Sequence, residues 1–386
     1  MTSRWIILAA LTAARVGMGF QFQAVACVAP FLAPDLGLDK TQLGLLIGLY
    51  LLPGIAIAVP GGLLGARFGD KQVTLIGLLL MVAGGIGLAY AGSFAEASAA
   101  RVVSGAGAVA LNVLLTKMVA DWFEGPDRLL AMSVLINAWP IGIALALLVL
   151  GPLAQVQGWG AAMGATAALA LAGFALVMVL YRAPAGRSQA AVGLGLGLGA
   201  LSMREWRLLV IAALPWLLFN AAYQIQVSFL PAFFLERGST VAGAGATAAL
   251  NTLLVIVSVQ AGGLLLKHLR KPDVLCHAAM LGWSITVALL IYGVSPLACI
   301  VLGGLLSGLP AGLFVSLGAE VLRAEVRAAG MGVFYTVYYV GCAILPAVAG
   351  ALYDATAHAD ATLWLAVACA LACMPALVLL RTLQRR

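Results

Sequence analysis

Two arginines and two pairs of glutamines are the residues of this chain best suited to chemistry. Arg15 is the only charged residue in an apolar run from Trp5 to Ala33, and Arg101 lies within another apolar run. On a helix rising 1.5 Å per residue, ten residues place Arg15 about 15 Å from the start of its run, near the middle of a hydrocarbon layer about 30 Å thick. A charge at that depth costs at least about 2.5 kcal/mol, so it must face protein or a water-filled cavity rather than lipid. Gln21-Phe22-Gln23, preceded by Phe20, returns 203 residues later as Gln224-Ile225-Gln226, preceded by Tyr223. A polar pair that recurs at the same depth in a second apolar segment implies a duplicated chain with a polar centre.

All 14 acids fall in loops or near predicted helix ends, so no acid lies inside an apolar segment to pair with either arginine. Cations in a polar centre want an anionic ligand, and the planar guanidinium fork suits carboxylates and similar oxyanions. The competing reading is a buried arginine that locks two helices together. At 3.6 residues per turn, the eleven residues between Arg101 and Asn112 bring both within about 20° of one face, with Gly105 and Ala108 leaving room beside them. Asn112 serves equally well in a helix-to-helix hydrogen bond. Arg15, Gly19 and Phe22 share a face of the first helix, with Gln23 at its edge and Gln21 turned elsewhere. Gln23 and Gln226, or else Gln21 and Gln224, are therefore expected to face each other across a cavity, donating bonds worth roughly 1.5–3 kcal/mol each to a charged ligand. The plainer alternative is that all four glutamines bridge neighbouring helices within each half.

Further binding candidates are Trp139, Asn220, Tyr223, Tyr335, Tyr338 and Tyr339, although aromatic residues in membrane helices more commonly pack than bind. At the helix ends, Lys117 and Asp121 are spaced i, i+4, and Glu320 occupies the place equivalent to Lys117 in the second half. With Arg67 and Lys71 they are candidate gate residues; a lysine snorkelling to the interface is the alternative. His277 and Met280, with Cys276 beside them, are too few for a metal site. No cofactor is expected. No nucleophile–base pattern or phosphate-cradling loop stands out, which argues against an enzyme or an ATP-driven pump.

The elements that must position these residues are membrane helices. Hydrophobic residues make up 63% and charged residues 9% of the 386 positions, far from the balance of soluble domains. At about 20 apolar residues per crossing, the length holds about twelve helices. They are predicted at 5–33, 43–65, 72–92, 96–119, 129–153, 159–181, 206–235, 242–266, 273–293, 296–320, 330–353 and 361–381. The first of these is a full-length crossing with no cleavage-site pattern, read as a retained helix and not a signal peptide. The polar break from Arg182 to Arg204, with its glycine-rich run at 193–200, reads as a flexible linker between a first six-helix half (1–181) and a second (205–386).

Every loop Lys and Arg except Lys40 and Arg237 falls on the side that carries both termini, which makes that side cytoplasmic. The +7 net charge is thus a topology signal and not a nucleic-acid surface. Cys27, Cys276, Cys299, Cys342, Cys369 and Cys373 all lie in or at the ends of apolar segments and read as small buried apolar residues. The duplication extends to Gly61–Leu64 with Gly262–Leu265, Ser104-Gly105 with Ser307-Gly308, and Lys117 with Glu320. Parallel six-helix repeats are one common transporter architecture, with the substrate bound at the midplane between the halves.

GLLGARFGDKQVTL (62–75) resembles the loop signature of the major facilitator superfamily, with Gly62, Leu64, Arg67, Gly69, Lys71 and Leu75 in place and Ala66 where the family carries an acid. RVVSGAG (101–107) resembles the family's fourth-helix signature through Arg101, Gly105 and Gly107. Residues 121–145 resemble the cyanate and nitroimidazole permease-like branch. The resemblance implies an all-α fold of twelve transmembrane helices in two pseudo-symmetric halves, and arginines on helices one and four of the kind its anion transporters use. The loss of the acid at Ala66 puts in question the charge relay that it serves in the family. The expected function is a secondary transporter of a small organic or inorganic anion, working by alternating access as a monomer in the bilayer of a bacterial inner membrane. The alternatives are a proton-driven exporter of cationic drugs, which two arginines and no intramembrane acid disfavour, and a non-transporting receptor or sensor on the same scaffold.

Overall fold

Glycine and proline decide where these apolar segments turn. The computed structural model describes residues 4–57, 65, 67–184, 198–323 and 325–385. Gly61–Leu64, Ala66, residues 185–197 of the linker and Arg386 lie outside them. Among the described residues, twelve helices are long and apolar enough to cross a membrane. Spans 1 to 6 are Arg4–Leu36, Lys40–Ile57, Asp70–Ala89, Phe94–Trp122, Leu130–Gln157 and Trp159–Leu180. Spans 7 to 12 are Met203–Glu236, Val241–Leu266, Pro272–Ile291, Pro296–Glu320, Ala329–Thr356 and Asp360–Gln384. The described chain is all-helical, as its composition predicts. All six cysteines are buried and free.

Local chemistry accounts for the ends. Span 4 starts at Ser93, whose hydroxyl accepts from Glu96 N at 3.2 Å. Span 7 starts with a capping box in which Ser202 and Glu205 each satisfy the other's backbone N–H. Arg323 then binds the same Glu205 carboxylate at 2.9 Å, and that partner holds the guanidinium above its usual pKa. Between spans 5 and 6 the chain reverses at Gly158, whose φ of 86° suits a residue without Cβ.

Spans 2 and 10 are each interrupted, which hydropathy did not reveal. Span 2 is a helix Lys40–Leu49, a turn, and a short helix Gly54–Ile57. Span 10 is Pro296–Ser307 followed by Ala311–Glu320. Pro53 and Pro310 sit at the two breaks, because proline lacks the N–H and its ring crowds the preceding turn. The i−3 bonds Gly54 N to Leu51 O (2.9 Å) and Ala311 N to Gly308 O (3.1 Å) carry the chain across.

The chain divides into two compact units: Met1–Leu38 with Leu49–Leu194, and Asp39–Gly48 with Gly195–Arg386. In unit 1, span 1 packs on spans 5 and 6, and span 3 on spans 4 and 6. In unit 2, span 7 packs on spans 11 and 12, and span 9 on spans 10 and 12. The same pairing in both units is the three-dimensional form of the sequence repeat. The crossing of spans 1 and 5 is backbone-close, since a Cβ on Gly19 would strike the Trp139 carbonyl and one on Gly142 the Val16 carbonyl.

Candidate functional site

In unit 1 the polar centre is built on Arg101, which is fully buried. Its Nη1 donates to Gln21 O at 2.9 Å and its Nη2 to Phe22 O at 3.1 Å. The guanidinium carbon lies 4.5 Å from the centre of the Tyr50 ring, where the ring's negative face attracts a cation. Gly105, one turn along span 4, permits this arrangement, because a Cβ there would collide with the Tyr50 carbonyl. Span 4 thus grips span 1 at the backbone of Gln21 and Phe22.

Gln21 is spent inside the unit. Its Nε2 donates to Met81 O at 2.9 Å and to Thr166 Oγ1 at 3.4 Å, and the Tyr50 hydroxyl donates to Met18 O at 3.2 Å. Gln23 is fully buried. Phe22 packs against Trp139 and Tyr50, with ring centres 5.2 and 5.9 Å away. Arg15 is half-buried two turns before Phe22 on the same face, and its Nε and Nη1 atoms are shielded from solvent. Asn112 and Trp139 are likewise half-buried.

In unit 2, Asn220 and Tyr223 lie half-buried on one face of span 7. Asn220 Nδ2 donates to Trp216 O at 2.7 Å. Trp216 stacks on Phe219 at 5.9 Å and leans on Tyr338 at 6.0 Å, and Tyr338 meets Tyr335 at 6.4 Å and Tyr339 at 4.9 Å. Gln224 donates to Cys342 O at 3.2 Å, while Gln226 accepts the Trp283 indole N–H at 2.7 Å. Three of the four glutamines therefore bridge helices inside their own unit. Among the sequence candidates, the structure brings Arg101 to Phe22 and joins Tyr335, Tyr338 and Tyr339 in one aromatic cluster. Tyr50, Trp216 and Trp283 were missed; Trp216 had a signal, being one turn from Asn220.

The charged helix ends pair differently from the spacing expected. Lys117 binds Asp70 at 2.6 Å instead of using its i, i+4 neighbour Asp121, because the start of span 3 lies beside the end of span 4. Lys71 donates to Met178 O and Tyr181 O, both at 2.8 Å, and Arg67 lies over the ring of Phe68. In unit 2, Glu320 binds Arg381 at 2.5 Å, and Arg381 also binds Asp273 at 2.9 Å. Asp70 and Asp273 are themselves 203 residues apart, a repeated acid the sequence reading passed over. The same corner of each unit is thus tied by ion pairs, through a lysine on span 4 in one and an arginine on span 12 in the other.

Twelve apolar spans, paired alike in two units that each bury polar side chains, define a duplicated multi-pass membrane protein. The chain belongs to the Major Facilitator Superfamily, whose sequence pattern it matches over residues 10–346. The crystal structure of a D-xylose-proton symporter shares its fold at a TM-score of 0.75 and 14% identity, covering 97% of this chain and 96% of that one. The chain is 27% identical over 138 residues to the hexuronate transporter of Bacillus subtilis (strain 168), covering 35% of this chain and 32% of that protein. It is 34% identical over 134 residues to the 3-(3-hydroxy-phenyl)propionate transporter of Escherichia coli (strain K12), covering 33% of this chain and 32% of that protein. The matched part spans about a third of the length of these curated relatives.

Proposed function

We propose that the chain is a secondary transporter that moves a small organic anion across a bacterial inner membrane by alternating access. The observation that carries this reading is Arg15, a guanidinium deep in span 1 on the face of Gly19 and Phe22. Arg101 supports it from behind by holding the Gln21–Phe22 backbone in place. Family membership supports transport in preference to catalysis. The relatives named for hexuronate and for 3-(3-hydroxy-phenyl)propionate support a carboxylate, which is an anion at neutral pH and fits the arginine fork.

In unit 1 we assign recognition to Arg15, Phe22, Gln23, Asn112 and Trp139, with Arg101 positioning them. In unit 2 we assign it to Asn220, Tyr223, Tyr335, Tyr338 and Tyr339, with Gln226 holding Trp283 against Phe219. The tied helix ends around Arg67, Lys71, Lys117, Asp121 and Glu320 are assigned to gating. On the resemblance of residues 121–145 we place the chain in the cyanate and nitroimidazole permease-like branch.

The test is ligand binding to the purified protein, followed by flux into proteoliposomes. Small mono- and dicarboxylates, cyanate and nitrate are compared with neutral sugars and cationic drugs. A carboxylate is expected to bind, and Arg15→Gln to abolish binding while the melting temperature holds. Undiminished uptake by Arg15→Gln, or selective uptake of cations, would overturn the reading.

A further inference from the structure

Span 2 is shared between the two units. Asp39–Gly48 belongs to unit 2 and Leu49–Leu194 to unit 1. The change coincides with the end of the helix Lys40–Leu49 and the break before Pro53. This helix is docked on span 11 in two ways. First, the backbones touch: a Cβ on Gly44 would strike the Pro346 carbonyl, one on Gly48 the Ala343 carbonyl, and one on Gly350 the Lys40 carbonyl. Second, the Asp354 carboxylate receives three donors at the helix start, Lys40 N at 2.9 Å, Thr41 N at 2.8 Å and Thr41 Oγ1 at 2.6 Å. Lys40 Nζ lies 5.2 Å from the centre of the adjacent Tyr353 ring.

The first N–H groups of a helix have no partner within it, and the positive end of its dipole favours a carboxylate. This helix, however, already has a local cap. Asp39 Oδ1 accepts from Gln42 N at 2.7 Å, and Asp39 N donates to Gln42 Oε1 at 3.1 Å, which is a complete capping box. Asp354 is therefore not needed for the helix to start. What its three bonds add is attachment of a half-span to a residue more than 300 positions away.

We propose that Asp354 is a gating residue. Its carboxylate is a releasable cap that holds the first half of span 2 on unit 2, on the face opposite the chain ends, and its release at the Tyr50–Pro53 break is a step in opening that face. The gating role rests on the transporter reading above; the attachment does not.

The experiment measures amide hydrogen exchange in the full-length protein, in peptides covering residues 39–48, for wild type, Asp354→Ala, Asp354→Asn and Thr41→Val. Asp354→Ala is expected to speed exchange there about tenfold, the effect of losing a charge-assisted bond, with spans 7 and 12 unchanged. Asp354→Asn, which keeps an oxygen acceptor, falls between, and Thr41→Val shows a smaller rise. Unchanged exchange at 39–48 in Asp354→Ala overturns the cap, and a rise spread over all of unit 2 makes Asp354 a general support of the fold. With a transported anion in hand, Asp354→Ala is expected to change turnover and KM, with partial rescue by Asp354→Asn. Wild-type values for both would remove the gating role. Absence of anion flux in the wild type would sink the transporter reading while leaving the exchange result legible.

Discussion

Arg101 shows how one side chain can satisfy two readings of its type. A guanidinium in an apolar helix needs oxygen, and either a substrate or a protein carbonyl supplies it. Here both Nη atoms are aimed at consecutive carbonyls of span 1, and a tyrosine ring covers the cation. Arg15, two turns before Phe22 on span 1, is the residue assigned to the ligand. The two substitutions should therefore behave differently. Arg101→Gln is expected to lower both stability and binding, by about 1.5–3 kcal/mol of stability for each charge-assisted bond lost. Arg101→Lys should recover only part, because a point charge cannot span both carbonyls. Thermal unfolding with and without ligand measures this, and an unaltered melting temperature in Arg101→Gln would refute the clamp. Gln21 and Gln226 follow the same logic: their amides are matched to partners inside a unit, which no single-helix projection reveals.

At the scale of the element, the lengths and number of the spans follow from hydropathy, whereas their contacts follow from glycine. Gly19 and Gly142 let spans 1 and 5 cross with backbone against backbone. Gly164 on span 6, by contrast, has nothing within 4 Å of where its Cβ would stand. Gly19→Leu is expected to destabilise the protein by more than the roughly 1–3 kcal/mol typical of overpacking, because the obstruction is main chain and cannot rotate away. Gly164→Ala should be neutral. Comparable melting temperatures for the two variants would refute the close crossing. The breaks at Pro53 and Pro310 were not legible because the apolar run continues through both; only the missing helical bonds expose them.

For the molecule as a whole, the acids of these ion pairs sit at helix ends: Asp70 with Lys117, Asp127 with Arg4, Glu205 with Arg323, Asp273 and Glu320 with Arg381, Asp360 with Arg237. Among the described residues no acid lies at the middle of a span, where a proton carrier would have to sit. Uptake of a fully ionised substrate is accordingly expected to be independent of a proton gradient between about pH 5.5 and 8. Flux assays under imposed gradients decide it; strong gradient dependence, lost on replacing one acid, would mean that an acid does carry the proton.

The amino-acid sequence by itself determined that this is a twelve-span duplicated membrane protein of a recognisable family. Those properties are sums over local transfer free energies and short repeated words, and each residue contributes whatever its neighbours in space may be. The tertiary structure alone decided which partner each polar group takes. Lys117 meets Asp70, on another helix, Arg101 meets two backbone carbonyls of span 1, and half of span 2 docks on the unit formed by the other half of the chain. Hydrogen bonds and ion pairs act over about 3 Å. Whether two groups come that close depends on which helices cross and where a missing Cβ lets them, and that is settled by packing between segments far apart in the chain.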